Sequence, residues 1–268
     1  MTAGSVTLER RGAAAVITLR APPRNAMHLD MWHQLDAHVA TIAGTRAFRA
    51  AVITGAGGHF CAGMDVRPDN PVIARLAPSF VEGDPGPARA LLDELKGILD
   101  RLGTLPVPVV AAIDGACAGG GLEIALACDV RLAADTAYFA LRETRMGMIP
   151  DLGGTVRLAR LLGPGAATDL ILTGRRVDAT EALQRGLVER LTDGAALEAA
   201  LAWVDDLALS GPFATARALE VLRVASRAGE APLLAMETEA GAAAISSGEP
   251  PIGVQAFLTD TAPRWETE

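Results

Sequence analysis

Two short apolar runs each lead into a cluster of glycines, and this pairing limits what the chain can fold into. Ala50–Thr54 (AAVIT) opens onto GAGGHFCAGMD, and Val107–Ile113 opens onto DGACAGGG and the helical stretch Leu122–Cys128. Runs of this length without polar alternation read as strands buried on both faces. Glycine loops after a strand are also the places where phosphates bind. Gly55-Ala56-Gly57-Gly58-His59-Phe60 begins like a dinucleotide fingerprint, but Phe60 stands where the third glycine is required. In Gly115–Gly121 the spacing approaches a P-loop, yet Gly121-Leu122 replaces its Lys-Ser/Thr pair. Neither nucleotide reading holds.

The rest of the chain supports an α/β or α+β core with a helical tail. Ser5–Leu8 and Ala14–Leu19 read as an opening hairpin, turned at Arg11-Gly12 and ended by Pro22-Pro23. Asn25 is expected to cap a helix from Leu29 to Ala43, with Leu29, Trp32, Leu35, Val39 and Ile42 on its buried face. Residues 68–88 hold five prolines and read as a surface loop; Ala88–Leu102 returns to helical spacing. Val130–Ala133 and Tyr138–Ala140 read as strands, 145–154 as a loop, Thr155–Leu162 and Thr180–Gly186 as helices. From Ala195 onward the sequence is almost wholly helical, which sets an expected boundary between a core, 1–194, and a helical region, 195–268.

Composition narrows the function. Half of the 268 residues are hydrophobic, which excludes general disorder, and 24 basic against 32 acidic residues give a net charge of −8. An acidic chain of this kind does not offer the basic face that nucleic acid or an anionic membrane requires. The most apolar stretch, Pro106–Cys128, contains Pro108, Asp114, Glu123 and a glycine cluster, and is no membrane span. Cys61, Cys117 and Cys128 fit neither a disulfide framework nor a metal spacing. The opening MTAGSVTLERRG carries charge before any long apolar run and does not read as a secretory signal, so a cytoplasmic location is expected.

The second glycine cluster carries the chemistry. Gly119-Gly120-Gly121 opens a helix, where unpaired backbone N–H groups and the helix dipole favour developing negative charge. Glu123 follows Gly120 by three residues, on the same helical face and about 4.5 Å along the axis. It sits in an otherwise apolar segment, LEIALAC, where an unused buried carboxylate is costly. An N–H donor beside a carboxylate suits a carbonyl whose oxygen becomes an enolate while a proton moves nearby. His59 and Cys61 have no evident partner and do not read as a nucleophile pair. His28, His33 and His38 read as surface residues, Asp65 and Asp129 as loop fasteners, and Tyr138 as packing.

Three stretches, HFCAGMDVR, DGACAGGGLEIALACDVRLAAD and FALRETRMGMIPDLGGTVRL, resemble in order and spacing the signature regions of the crotonase (enoyl-CoA hydratase/isomerase) family, over roughly residues 5–190. RNAM at 24–27 resembles that family's first coenzyme A contact. The resemblance implies a spiral of β-β-α units with C-terminal helices that build homotrimers, often paired into hexamers. It implies an oxyanion hole from the N–H groups of Met64 and Gly120, and catalytic glutamates at Glu123 and Glu143. It assigns the acyl-CoA thioester to the stretches holding Arg24, Ala26, Ala62, Met64, Asp65, Val66, Arg67 and Gly120, with both arginines suited to phosphates. No cofactor or metal is implied, because coenzyme A is part of the substrate. Two glutamates resemble hydratases, which add water to a 2,3-enoyl thioester, with Glu123 activating the water and Glu143 exchanging a proton at the α-carbon. Asp151 departs from that pattern: it stands where hydratases have glycine and several isomerase branches have a catalytic aspartate. As read from the sequence it is either an acid of a double-bond isomerase or a cap for the helix near Thr155. A scaffold that binds acyl-CoA without turnover is the third alternative.

Overall fold

The computed structural model describes residues 4–265. An antiparallel hairpin, β1 (Ser5–Arg11) and β2 (Ala14–Arg20), precedes α1 (Leu29–Ala43), β3 (Ala50–Gly55), α2 (Pro71–Glu82) and α3 (Pro85–Leu102). Then follow β4 (Val109–Ile113), β5 (Ala116–Ala118), α4 (Gly120–Ala127), β6 (Val130–Ala134), β7 (Tyr138–Ala140) and a 3-10 turn, Glu143–Met146. Next come α5 (Gly154–Leu162), α6 (Pro164–Thr173), β8 (Val177–Asp178), α7 (Ala179–Arg185) and β9 (Arg190–Thr192). The tail is α8 (Ala196–Ala208), α9 (Pro212–Val224), α10 (Glu230–Ile245) and α11 (Glu249–Leu258).

The main sheet has the order β1-β2-β3-β4-β6-β9, parallel from β2 onward, and β5-β7-β8 form a second, smaller sheet. Each parallel step needs a crossover, and helices supply it, so the chain winds as a spiral. The strands lack polar alternation because both faces of the main sheet are covered. Ile17, Ile53 and Ala111 face a core shared with Trp32 and Leu35 of α1 and Leu95 and Leu99 of α3. Their chain neighbours Val16, Val52 and Val110 face the opposite side, against Ala196, Ala200 and Val204 of α8. The first tail helix thus completes the cover of the sheet. Further out, Arg223 of α9 grips both oxygens of Asp129 and the carbonyls of Leu105 and Val107.

Two local expectations change. Residues 68–88 are not a loop, because three of the prolines, Pro71, Pro85 and Pro87, occupy first helical turns where a missing N–H is free of cost. Asn70 caps α2 ahead of Pro71, Asp84 caps α3 ahead of Pro85, and Gly83 turns between them at φ 72°. Only Pro78 lies inside a helix, and the carbonyl of Ala74 that loses its donor belongs to an exposed residue. Asn25 does not cap α1. His28 does, through the N–H of Asp30, while Asn25 is buried at φ +56° and binds the carbonyls of Ala56, His59 and Phe60. Among the described residues no helix is long and apolar enough to cross a membrane.

Candidate active site

The two glycine loops meet where β5 pairs with the loop after β3. Cys61 and Cys117 form a parallel bridge, with Cys61 N–H donating to Ala116 and Ala118 N–H donating to Cys61. This juxtaposition sets Gly63 and Met64 against Gly119 and Gly120: a β-carbon on Gly120 would lie 3.6 Å from Met64 N and 3.7 Å from Gly63 Cα. A β-carbon on Gly121 would strike the backbone of Cys61 at 2.4 Å, so this close approach requires glycine.

Both proposed N–H donors are left unpaired for reasons of local geometry. The carbonyl of Gly63 accepts from Met27 N–H at 2.7 Å. In a planar trans peptide the N–H points opposite to the C=O, so Met64 N–H faces away from Met27 and toward Gly120. Gly119 donates to Ala140, and the first intrahelical bond of α4 runs from Glu123 N–H to Gly119. Gly120 N–H is therefore one of the orphan donors of a helix start. Among the described residues neither N–H meets an acceptor.

Three acids surround this point. Glu123, only 2% exposed, accepts at Oε1 from the N–H groups of Leu152 and Gly154, both at 2.8 Å. Burial pushes its carboxyl up to about 8; Glu143 and Asp151 add repulsion, and the two backbone donors oppose the shift. Glu143 begins the 3-10 turn, with Oε1 3.2 Å from where a β-carbon of Gly119 would stand. Its Oε2 is buried without a partner, and burial raises its carboxyl, with help from Asp151. Asp151 is also raised by burial. It is not a helix cap: α5 starts at Gly154 behind Gly153, with no side-chain cap. Carboxyls held above their ordinary range are the groups that keep a proton available near neutral pH.

A model of the enoyl-CoA hydratase/isomerase family matches residues 9–268. The chain belongs to that family. It is 33% identical to the enoyl-CoA hydratase EchA19 of Mycobacterium tuberculosis, over 97% of this chain and 95% of that protein. It is 36% identical to the enoyl-CoA isomerase/hydratase claC of Penicillium crustosum, over 90% of this chain but only 29% of that longer protein. Among solved structures, an enoyl-CoA hydratase from Bacillus anthracis superposes with a TM-score of 0.88 at 32% identity, covering 98% of this chain and all of that one (100%). The spiral expected from the sequence is thus the family's fold.

Within this family frame, the residues expected at the coenzyme A side divide. Arg24 is exposed, and its own carbonyl accepts from Ala62 N–H, which brings the RNAM stretch against the glycine loop after β3. Ala26 and Ala62 are half-buried along that contact, and Val66 is exposed. Arg67 is clasped by the buried Asp65 carboxylate, which it holds below the usual range. His59, for which no partner was evident, receives the N–H of Ala116 on Nδ1 and braces the loop. Burial pushes the Cys61 thiol up to about 12, far from a nucleophile. Of the two buried asparagines, sequence reasoning gives Asn25 a different role and does not reach Asn70. The Asn70-Pro71 pair, a cap followed by a first-turn proline, was the available signal for the second.

Proposed function

We propose that the chain is an enoyl-CoA hydratase, adding water across the 2,3 double bond of an acyl-CoA thioester. The observation that carries this reading is the pair of buried carboxyls, Glu123 and Glu143, beside two unpaired backbone N–H groups. The N–H groups of Met64 and Gly120 donate to the thioester oxygen and hold the enolate as its charge develops. In the closed site burial favours a proton on Glu123. When water enters, burial relaxes and the two backbone donors on Glu123 favour its charged form, so the proton passes toward Glu143, which has no donor on Oε2. Glu123 then takes a proton from the water, whose oxygen bonds to C3. The electron pair of the double bond moves onto the thioester, and Glu143 returns a proton to C2. Coenzyme A enters as part of the substrate, held by Arg24, Arg67 and the stretch through Ala26, Ala62, Asp65 and Val66, with no further cofactor.

The test is turnover of a short 2-enoyl-CoA in isotopically labelled water, followed by mass spectrometry. A hydratase yields a product heavier by one labelled water, and Glu123→Gln or Glu143→Gln abolishes it. Both variants retaining full activity would refute the mechanism. One observation favours a second reading: Asp151 is half-buried, serves no cap and presses on both glutamates. A double-bond isomerase would shift the alkene without adding mass, lose activity in Asp151→Asn and tolerate Glu123→Gln. Tight acyl-CoA binding without any turnover across a substrate panel would support a scaffold instead. We also place the protein in the cytoplasm, where its three buried free thiols stay reduced. A homotrimer, alone or paired into a hexamer, fits the tail: α10 buries none of its residues, and Ile245, Phe257 and Leu258 are 76%, 85% and 73% exposed. Light scattering of the purified protein reads that state directly.

A further inference from the structure

The Met64 N–H can serve as an oxyanion donor only if its loop is held to a fraction of an ångström. Part of the hold is backbone: Met27 N–H binds the Gly63 carbonyl, and Asp65 N–H binds the Met27 carbonyl at 3.0 Å. Asp65, through the Arg67 N–H, adds a local brace, and one side chain outside the glycine loops ties the loop to two helices. Asn70 is 1% exposed. Its Oδ1 accepts from Leu29 N–H, at the start of α1, and from Val72 N–H, at the start of α2, each at 3.3 Å. Its Nδ2 donates to the Asp65 carbonyl at 2.5 Å and to Met64 Sδ at 3.8 Å. Both donors and both acceptor sites of the amide are therefore used. Aspartate has the length but no N–H, and serine can cap α2 but cannot span to Asp65.

We propose that Asn70 is a positioning residue for the oxyanion hole, tying the Met64–Asp65 backbone to the first turns of α1 and α2. This rests on the reading of Met64 and Gly120 as oxyanion donors. A buried side chain that only stabilised the fold would not act differently on the charged and uncharged states of a bound thioester. A positioning residue does, because loss of one oxyanion donor in an acyl-transfer site costs about 10²–10³ in kcat, and displacement costs a part of that.

The experiment compares wild type with Asn70→Asp, which keeps the two caps and loses both donors, and with Asn70→Ser as a second, uncharged variant. Three quantities are measured: kcat and KM, the ultraviolet enolate band of a bound 3-oxoacyl-CoA, and the Kd of coenzyme A itself, which has no thioester carbonyl. The expected result in a folded variant is kcat reduced roughly 10- to 100-fold with KM changed less than about twofold. The enolate band weakens while the coenzyme A Kd stays at the wild-type value. An unchanged enolate band in a folded variant, or an equal loss of coenzyme A affinity, overturns the proposal. A wild type that forms no enolate band overturns the oxyanion reading and Asn70's role with it, so the two failures are distinct.

Discussion

Replacing Glu123 by glutamine should make the protein inactive and more stable, with a stability gain that grows with pH. The carboxyl has an ordinary value of 4.5 and is pushed up to about 8 in the folded chain. A raised carboxyl costs nothing while it is protonated in both states, below 4.5. Its cost appears as pH rises from 4.5 and levels off beyond 8, since the unfolded chain ionises first. At 1.36 kcal/mol per unit, the charge-burial cost is below about 1 kcal/mol at pH 5, about 3 at pH 7 and about 5 above pH 9. Glutamine keeps an oxygen for the Leu152 and Gly154 N–H groups and has no charge to bury, so Glu123→Gln removes the cost. For a chain of this size about 3 kcal/mol corresponds to roughly 6–12 °C in Tm. Thermal unfolding of both proteins at pH 5, 6, 7 and 8 reads the gap, and turnover reads the activity. A gap that stays flat or shrinks with rising pH would refute the assignment of a buried, proton-retaining carboxyl.

Other substitutions separate positioning from binding and from folding. In Gly154→Ala the new β-carbon would stand 2.8 Å from Glu123 Cγ and Oε1, so kcat should fall by about 10-fold or more with KM near wild type, read by steady-state kinetics. Arg67→Ala should raise KM more than it lowers kcat, because phosphate contacts act equally on ground and transition states; the reverse pattern contradicts that role. Arg223→Ala leaves the Asp129 carboxylate, only 16% exposed, without its partner, and should cost about 3 kcal/mol in denaturant unfolding while kcat is retained.

What the sequence reveals and what it hides follow from one distinction. Strands buried on both faces and glycines in close backbone contact leave local marks, which is why β3, β4 and the burial of the Glu123 carboxyl were legible. The paired glycines are the only residues that let Cys61 and Gly121 touch. Residues 68–88 misled because proline density was taken as a break, whereas position decides: a proline after Asn70 or Asp84 starts a helix. Asn25 misled for a related reason. An asparagine ahead of a helix reads as a cap, yet its amide is used some thirty residues away, on Ala56, His59 and Phe60. Asp151 had two local readings, and only the placement of Gly153 ahead of α5 separates them. Side chains that act across the fold carry no periodic signal of their own.

The net charge of −8 bears on how such a site meets a polyanionic coenzyme A ester. At a distance the chain repels its substrate, but physiological salt confines that repulsion to about 8 Å, so the encounter is governed by charges at the mouth. Those charges are unequal. Asp65 offsets much of the Arg67 field, and Arg67 is tied by both its backbone and its guanidinium into the loop that carries Met64. Arg24 is exposed in the turn after β2, and its carbonyl holds Ala62. Deeper in, no cation among the described residues pairs with Glu123, Glu143 or Asp151; burial, with repulsion added at the two glutamates, holds the carboxyls above the ordinary range. Burial first, and repulsion among the acids second, thus leave these carboxyls able to hold a proton near neutral pH, whatever the acidic balance does to long-range capture.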